Sequence, residues 1–176
     1  MTTQYATNGE GARVSKSGPA VPGGTVAFGY GVGAEGWQLM GEYGYPEGAK
    51  KMAPLQEHIW LDGQPIGMVK NGALYHVTSG HLGEPDKLTD GAGNIVWQAR
   101  RTAFGLVTPV VANVDYSLGL PGQYYDKETG LFFNNARTYD PKTGRYASPD
   151  PLGQNGGDAN LYPYVGNDPL RNVDPW

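Results

Sequence analysis

The sequence predicts an all-β protein made of consecutive antiparallel hairpins in a curled sheet, followed by a compact, loop-rich segment. It holds 28 Gly and 14 Pro in 176 residues. Both residue types penalise helix interiors, so no window is left for a long helix. Turn signals recur about every 8–12 residues, a spacing typical of sandwiches, barrels and β-spirals. Such repetition favours stacked hairpins over one dense globule.

The central hairpins are placed by their turns. Asn71-Gly72 is a dipeptide that two-residue type I′ turns prefer, and it separates strands predicted over Pro65–Lys70 and Ala73–Thr78. Upstream, Asp62-Gly63-Gln64 predicts a turn after a strand over His58–Leu61, because Asp and Gly favour turn conformations.

A further hairpin is predicted where Asp90–Gly93 separates Lys87–Thr89 from Asn94–Arg101. Strand side chains alternate between the two faces, so one apolar face of the second strand is formed by every other residue. The residues on this face are Ile95, Trp97 and Ala99.

Loops and one helical turn complete the predicted elements. Clusters of Pro and Gly predict loops over Ser17–Gly24 and Gly44–Pro54. A turn or two of helix is expected around Asn160–Val165, with Asn160 as the N-cap and Pro163 in the first turn, because those residue types favour these positions.

Composition excludes several classes of function. The net charge is −4, whereas nucleic acids and anionic membranes are bound through a basic footprint. No Cys is present, which removes disulfides, thiol nucleophiles and Cys-based metal sites and leaves the redox compartment open. The N-terminal MTTQYATNGE lacks the basic and apolar regions of a signal peptide. No apolar run approaches ~18 residues, so no membrane span is predicted.

Common site motifs are weak in this sequence. Gly31–Gly36 fits G-x-G-x-x-G, but the residues that follow cannot sustain the helix a dinucleotide site needs, so a hairpin turn is the better interpretation. The histidines His58, His76 and His81 lack helical spacing and an acidic cluster, so structural roles are favoured over metal binding. Asp90–Asn94 lacks the full calcium-loop pattern, and no G-x-S-x-G nucleophile elbow occurs. No cofactor is expected.

The last third of the chain contains a short repeat. YDKETG begins at Tyr125 and YDPKTG begins at Tyr139. In each, Asp can accept a backbone N–H two residues on, and Gly closes the turn because it accepts positive φ without steric cost. Each turn leads into a short aromatic strand.

This region closely resembles the core domain that follows the YD repeats of Rhs proteins. The matching elements are PGQYYDKETGLFFNNARTYDPKTGRYASPDPLG, GGDANLYPYVGNDP and a terminal P-x-x-x-x-D-P step at Pro169, Asp174 and Pro175. Upstream, Tyr5–Val14 resembles one YD repeat with Ala6 in place of Asp, and His58–Gly105 resembles the repeats before the core, with Gly80 where Asp is usual. The resemblance implies shell hairpins over residues 1–119 and a core, or plug, over residues 120–176.

The resemblance also implies a function, since Rhs proteins are large β-shells that carry a toxin at their C-terminus. It predicts encapsulation and presentation of that toxin. The implied partners are the chain's own C-terminal toxin and the rest of the shell, and possible ones are secretion-apparatus or immunity proteins and further copies bound through open sheet edges. The protein would be made in the cytoplasm and delivered to the cell surface or beyond without a visible signal peptide.

Asp150 and Asp174 each open an Asp-Pro step, at the two ends of the terminal segment, and the resemblance makes them the candidate catalytic residues. Both could simply begin turns. The resemblance instead implies a pair that performs aspartyl self-cleavage just after a DP-x-G-L step, with Arg145 as a possible tuning residue. Two carboxylates a few Å apart cannot both ionise easily, so one can activate water while the other polarises a carbonyl. Gly-Leu is expected after Trp176, so the fragment alone is predicted to be inactive.

Two other functions stay open at this point. One is an extracellular carbohydrate- or receptor-binding repeat module, since YD repeats also occur in adhesion proteins. Its stacking surface would be formed by Trp60, Trp97, Tyr124, Tyr125, Phe132 and Phe133, although strand packing is favoured for at least half of these. The other is an independent hydrolase, which would need a preformed pocket with convergent polar groups.

Overall fold

A computed structural model describes residues 2–33, 36–153 and 160–174. These residues are all-β, as predicted, with one short 3-10 turn at Val165–Asn167. The strands, numbered in chain order, are β1 (Gln4–Thr7), β2 (Arg13–Ser17), β3 (Thr25–Gly33), β4 (Gly36–Gly44), β5 (Ala53–Leu61), β6 (Gln64–Lys70), β7 (Ala73–Ser79), β8 (Pro85–Thr89), β9 (Ile95–Arg101), β10 (Val107–Ala112), β11 (Gln123–Asp126), β12 (Leu131–Asn134), β13 (Arg137–Asp140) and β14 (Arg145–Tyr146).

The chain divides into two compact units. Residues 1–78 and 88–95 form the first, and residues 79–87 and 96–176 form the second. In the first unit, β1 to β7 are antiparallel neighbours in chain order. In the second unit, β9 pairs with β10, and β11 to β14 form a separate antiparallel sheet in chain order.

The predicted hairpin turns are confirmed. Asn71 and Gly72 have φ of 52° and 74° between β6 and β7, as a type I′ turn requires. Asp62 and Gly63 have φ of 48° and 78°, and Gln64 already belongs to β6. This turn is therefore one residue shorter than predicted.

Strands β3 and β4 contain several glycines, and Gly29 pairs with Gly41 in their ladder. The ring of Tyr43 lies over Gly29 and Gly41, where an added Cβ would lie 3.0 Å from it in each case. The G-x-G-x-x-G segment forms the end of this hairpin, with Gly33 paired to Gly36, so the hairpin interpretation is confirmed. The following loop covers only residues 45–52, because β5 begins at Ala53.

The helix predicted around Asn160–Val165 is wrong. Asn160 does begin a turn, since its Oδ1 atom accepts a hydrogen bond from Tyr162 N at 3.3 Å. The next residues pair with β14 instead, where Tyr146 N donates to Tyr162 O at 2.9 Å. The 3-10 turn that follows includes Gly166 at φ 62°, so no regular helix develops.

One face of the β11–β14 sheet carries two rows of side chains. Phe132 pairs with Tyr125 and Tyr139, and Tyr139 pairs with Tyr146; we call these four the aromatic row. The ring of Tyr164 packs on the row, 4.9 Å from that of Tyr139. Such aromatic pairs contribute about 1 kcal/mol each beyond area burial. Phe132, Tyr139, Tyr146 and Tyr164 are at most 3% exposed, so the row forms the core of the second unit.

Candidate functional site

The second row on this face is polar. In the register of the sheet, Asn134 lies between Gln123 on β11 and Arg137 on β13; we call these three the polar row. Side chains two positions apart on a strand share a face, so the polar row lies beside the aromatic row. Gln123 and Asn134 are buried, and the row ends at the Arg137 guanidinium.

Arg137 brings the two predicted aspartates together. Its Nη1 atom lies 3.1 Å from Asp150 Oδ2, and its Nη2 atom lies 2.5 Å from Asp174 Oδ2. The three side chains are 11%, 23% and 20% exposed, respectively. These charge-assisted hydrogen bonds are stronger than neutral ones. The sequence suggests Arg145 as the cation near the pair, whereas in the structure it is the Arg137 guanidinium that lies between the carboxylates and offsets their repulsion.

Asp150 both opens a turn and contacts the arginine. Its Oδ1 atom accepts a hydrogen bond from Leu152 N at 2.8 Å, and its backbone carbonyl accepts one from Gly153 N at 2.9 Å. Its own N–H donates to Leu161 O at 2.9 Å. These bonds fix the backbone, so that Oδ2 can face Arg137.

Asp174 is held by β12 and β14 as well as by Arg137. Tyr146 donates its hydroxyl proton to Asp174 Oδ2 at 2.7 Å. Asn134 Nδ2 donates to the Asp174 backbone carbonyl at 3.0 Å and to the Tyr146 hydroxyl oxygen at 2.6 Å. The backbone and carboxylate of Asp174 are therefore both fixed by buried side chains.

Tyr146 contacts both charged partners. Its ring lies under the guanidinium, with Arg137 Cζ 3.6 Å from the ring centroid. Burial, and secondarily the Asp174 carboxylate, raises the pKa of the Tyr146 phenol above its usual range. The hydroxyl therefore stays protonated, and able to donate, beyond neutral pH.

A cavity of about 200 Å³ adjoins the charged cluster. Arg137, Asp150 and Asp174 line it together with apolar residues: Leu161, Pro163, Val165 and Val173. A cavity lined by both charged and apolar side chains can hold a peptide segment with its carbonyl near the carboxylates.

The other sequence candidate, Arg145, lies on the opposite face of the sheet. It pairs with Asp140 on β13 and is exposed. Since successive residues of a strand point to opposite faces, it is the next residue, Tyr146, that reaches Asp174.

Sequence reasoning did not single out Arg137, Asn134 or Tyr146. The repeat held a signal for Arg137: when the two Tyr-Asp units are aligned, Gln123-Tyr124-Tyr125-Asp126 matches Arg137-Thr138-Tyr139-Asp140. A neutral residue in the first copy becomes a cation in the second. No comparable signal marks Asn134 or Tyr146.

The histidines take up separate positions. His58 is buried in the first unit, with its Nε2 atom 3.9 Å from Glu42 Oε1. In the second unit, His81 Nε2 lies 3.0 Å from Leu170 O, and His76 on β7 is exposed. Across residues 2–33, 36–153 and 160–174, no group of three or more His, Cys, Asp or Glu could hold a metal ion.

The candidate stacking aromatics lie mostly inside the protein. Trp97, Tyr124, Phe132 and Phe133 are at most 8% exposed. Trp60 is half-buried, and its indole N–H donates to Leu39 O at 2.9 Å. These side chains therefore do not form the exposed surface that a carbohydrate module needs.

Membrane crossing by a helix finds no support in the structure. Within the part of the chain that the structure describes, no helix is both long and apolar enough to cross a membrane.

Comparison with known proteins finds similar sequences. A sequence model described as RHS protein matches residues 73–111. The chain is 41% identical over 108 residues to double-stranded DNA deaminase toxin A of Burkholderia cenocepacia, covering 58% of this chain and 7% of that protein. It is 42% identical over 102 residues to the probable deoxyribonuclease RhsA of Dickeya dadantii, covering 57% and 7%. It thus spans less than a tenth of the length of these relatives.

The fold matches a solved toxin structure. In the Tc holotoxin pore of Photorhabdus luminescens, the superposed chain covers 98% of this protein and 8% of that chain, with a TM-score of 0.68 and 21% identity. At this identity the similarity concerns the fold alone. Together, the sequence matches show that residues 73–111 fit the RHS protein model and that more than half of the chain is similar to RHS-type proteins.

Proposed function

We propose that this chain is a shell segment of an RHS-type toxin protein and that its second unit cuts the polypeptide downstream of Asp174. One observation carries the cleavage part: carboxylates from two distant Asp-Pro steps meet on one guanidinium beside a cavity. The shell part is supported by the all-β hairpin fold and by relatives that carry the word toxin in their names.

The proposed reaction is hydrolysis of one peptide bond. One carboxylate takes a proton from water as the water oxygen bonds to the scissile carbonyl carbon. The other, in its protonated form, donates to the carbonyl oxygen, and Arg137 offsets the negative charge that develops there. The C–N bond then breaks as the proton taken from water passes to the leaving nitrogen, and the proton on the former carbonyl oxygen returns to the second carboxylate. The products are a carboxylate and an amine.

A purely structural role for the cluster makes different predictions. If the cluster only stabilised the fold as an ion pair, replacing one of its residues would lower the stability of the second unit. No peptide bond would be cut in the parent protein. The cavity beside Asp150 and Asp174 favours the chemical role, because an ion pair that only stabilises the fold has no need of space next to its carboxylates.

Partners and delivery follow from the same proposal. The cargo is the toxin segment of the same polypeptide, and the rest of the shell surrounds it. A secretion apparatus and an immunity protein are further expected partners.

The test uses a full-length RHS polypeptide carrying this segment, with Gly-Leu and a reporter domain after Trp176. We expect Asp150→Asn and Asp174→Asn each to abolish reporter release with the fold intact, since an amide cannot exchange the required proton. Asp140→Asn is the matched control and should not change release. Asp140 also opens an Asp-Pro step, and its Oδ1 atom accepts a hydrogen bond from Lys142 N at 2.9 Å. It lies on the opposite face of the sheet from Arg137. Release that persists with both Asp150 and Asp174 replaced would refute the proposed function.

A further inference from the structure

Asp174 is held by a closed ring of hydrogen bonds that the cleavage chemistry does not itself require. Asn134 Nδ2 donates both to the Tyr146 hydroxyl oxygen and to the Asp174 backbone carbonyl, while the Tyr146 hydroxyl donates to Asp174 Oδ2. One amide nitrogen has two protons and a phenol has one. Each proton thus has a single acceptor, and the direction of the ring is fixed.

We propose that Tyr146 and Asn134 are positioning residues, which set the Asp174 carboxylate against Arg137 so that self-cleavage proceeds at its full rate. This inference rests on the proposed function. It adds that the hydroxyl and the amide act through Asp174 and touch neither the scissile bond nor the attacking water.

The Tyr146 hydroxyl, rather than its ring, is the part of the side chain that contacts Asp174. The Tyr146 ring packs in the aromatic row and under Arg137, contacts that a Phe ring would make equally well. The hydroxyl adds only the polar contacts at Asp174 and Asn134. A buried polar group with a poor hydrogen-bond partner destabilises the fold. The buried Tyr146 hydroxyl and Asn134 amide are therefore explained by the bonds they make to Asp174.

The ring also constrains where Oδ2 can lie. Asp174 Oδ2 accepts from Arg137 and from Tyr146 at once, while its backbone is anchored through Asn134 on the neighbouring strand. A carboxylate held at both ends cannot rotate away from the cavity. Positioning of this kind matters because a displacement of about 1 Å can lower a rate ~100-fold.

The decisive experiment compares two tyrosines in the reporter-release protein. Tyr146→Phe should slow release at least ~10-fold. It should also change the shape of the pH–rate profile, which the loss of a ring contact alone would not do.

Tyr139→Phe is the matched control. Tyr139 lies in the same aromatic row, and its hydroxyl donates to Phe104 O at 2.7 Å, away from Asp174. It should lose similar stability but keep the rate and the pH profile of the parent protein.

A second pair tests the amide. Asn134→Leu should slow release, whereas Gln123→Met, which replaces the buried amide next to it in the polar row, should not. Because Tyr146 and Asn134 act on the same carboxylate, the double variant Tyr146→Phe with Asn134→Leu should slow release less than the product of the single effects.

The outcomes separate this inference from the proposed function. If the Asp variants abolish release while Tyr146→Phe and Asn134→Leu match their controls in rate and pH profile, the positioning role is wrong and the cleavage site stands. If release survives the Asp variants, the proposed function fails first.

Discussion

Replacing Arg137 with Met should destabilise the second unit strongly. The substitution keeps most of the apolar stem and removes the guanidinium, which leaves the mostly buried carboxylates of Asp150 and Asp174 without their shared cation. Breaking a buried ion pair from one side costs about 3–5 kcal/mol, and the stacking of Arg137 on Tyr146 is also lost. The carboxylates keep some contact with solvent, so we expect the lower end, about 3 kcal/mol.

Hydrogen exchange of the 176-residue chain measures this loss in the right place. With two compact units, a global unfolding curve mixes two transitions, whereas exchange reports local opening. A loss of about 3 kcal/mol corresponds to exchange ~100-fold faster over β11–β13. Arg137→Lys should lower the stability of the second unit by about 2 kcal/mol, because a single ammonium cannot make the bidentate hydrogen bonds of the guanidinium.

The control for this series is Arg145→Met, because Arg145 is exposed on the opposite face and should change stability by less than about 0.5 kcal/mol. Adding Asp174→Asn to Arg137→Met should recover part of the loss by removing one unpaired charge. If Arg137→Met and Arg145→Met exchange at the same rate, the guanidinium does not hold the two carboxylates, and the described site is wrong.

Three further predictions concern the isolated chain. Trypsin should cut first after Lys50 or Lys51, in the exposed loop 45–52, and early cuts between Gly130 and Tyr146 would contradict the order of stability. Burial raises the pKa of Tyr164 from 10.0 to about 12, so the unfolded chain loses this proton at lower pH than the folded chain does. The free energy of unfolding should therefore fall as pH rises from 10 towards 12. A urea midpoint that stays unchanged over that range would refute this. Strand β1 is exposed along its length and pairs with β2. Exposed edge strands recruit other chains, so light scattering should show self-association. A compact monomer would argue against this.

Features with a local cause could be predicted from the sequence. Asn71-Gly72 makes its hairpin because both residues accept positive φ, and this holds in any fold that contains the turn. Among the four Asp-Pro steps, the family resemblance selects those at Asp150 and Asp174, and the structure brings these two side chains to one guanidinium.

Features that depend on pairing between distant segments could not be predicted. Strands β3 and β4 contain several Gly, a residue that does not favour strands, but ladder pairing and the Tyr43 side chain beside Gly29 and Gly41 support them. The expected helix after Asn160 gave way to pairing with β14. The choice of Arg137 over Arg145 depends on the register of the β11–β14 sheet, because a shift of one residue exchanges the two faces.

The mass of the released fragment tests the central claim most directly. The full-length protein with Gly-Leu and a reporter after Trp176 is left to react in ¹⁸O-labelled water, and both products are weighed. The proposed mechanism predicts a cut after the added Leu, with one ¹⁸O atom in the new carboxylate and no cut in the Asp150→Asn or Asp174→Asn protein. A cut between Asp174 and Pro175 would show instead that the Asp-Pro bond breaks through its own side chain, and the shared site on Arg137 would have no part in it.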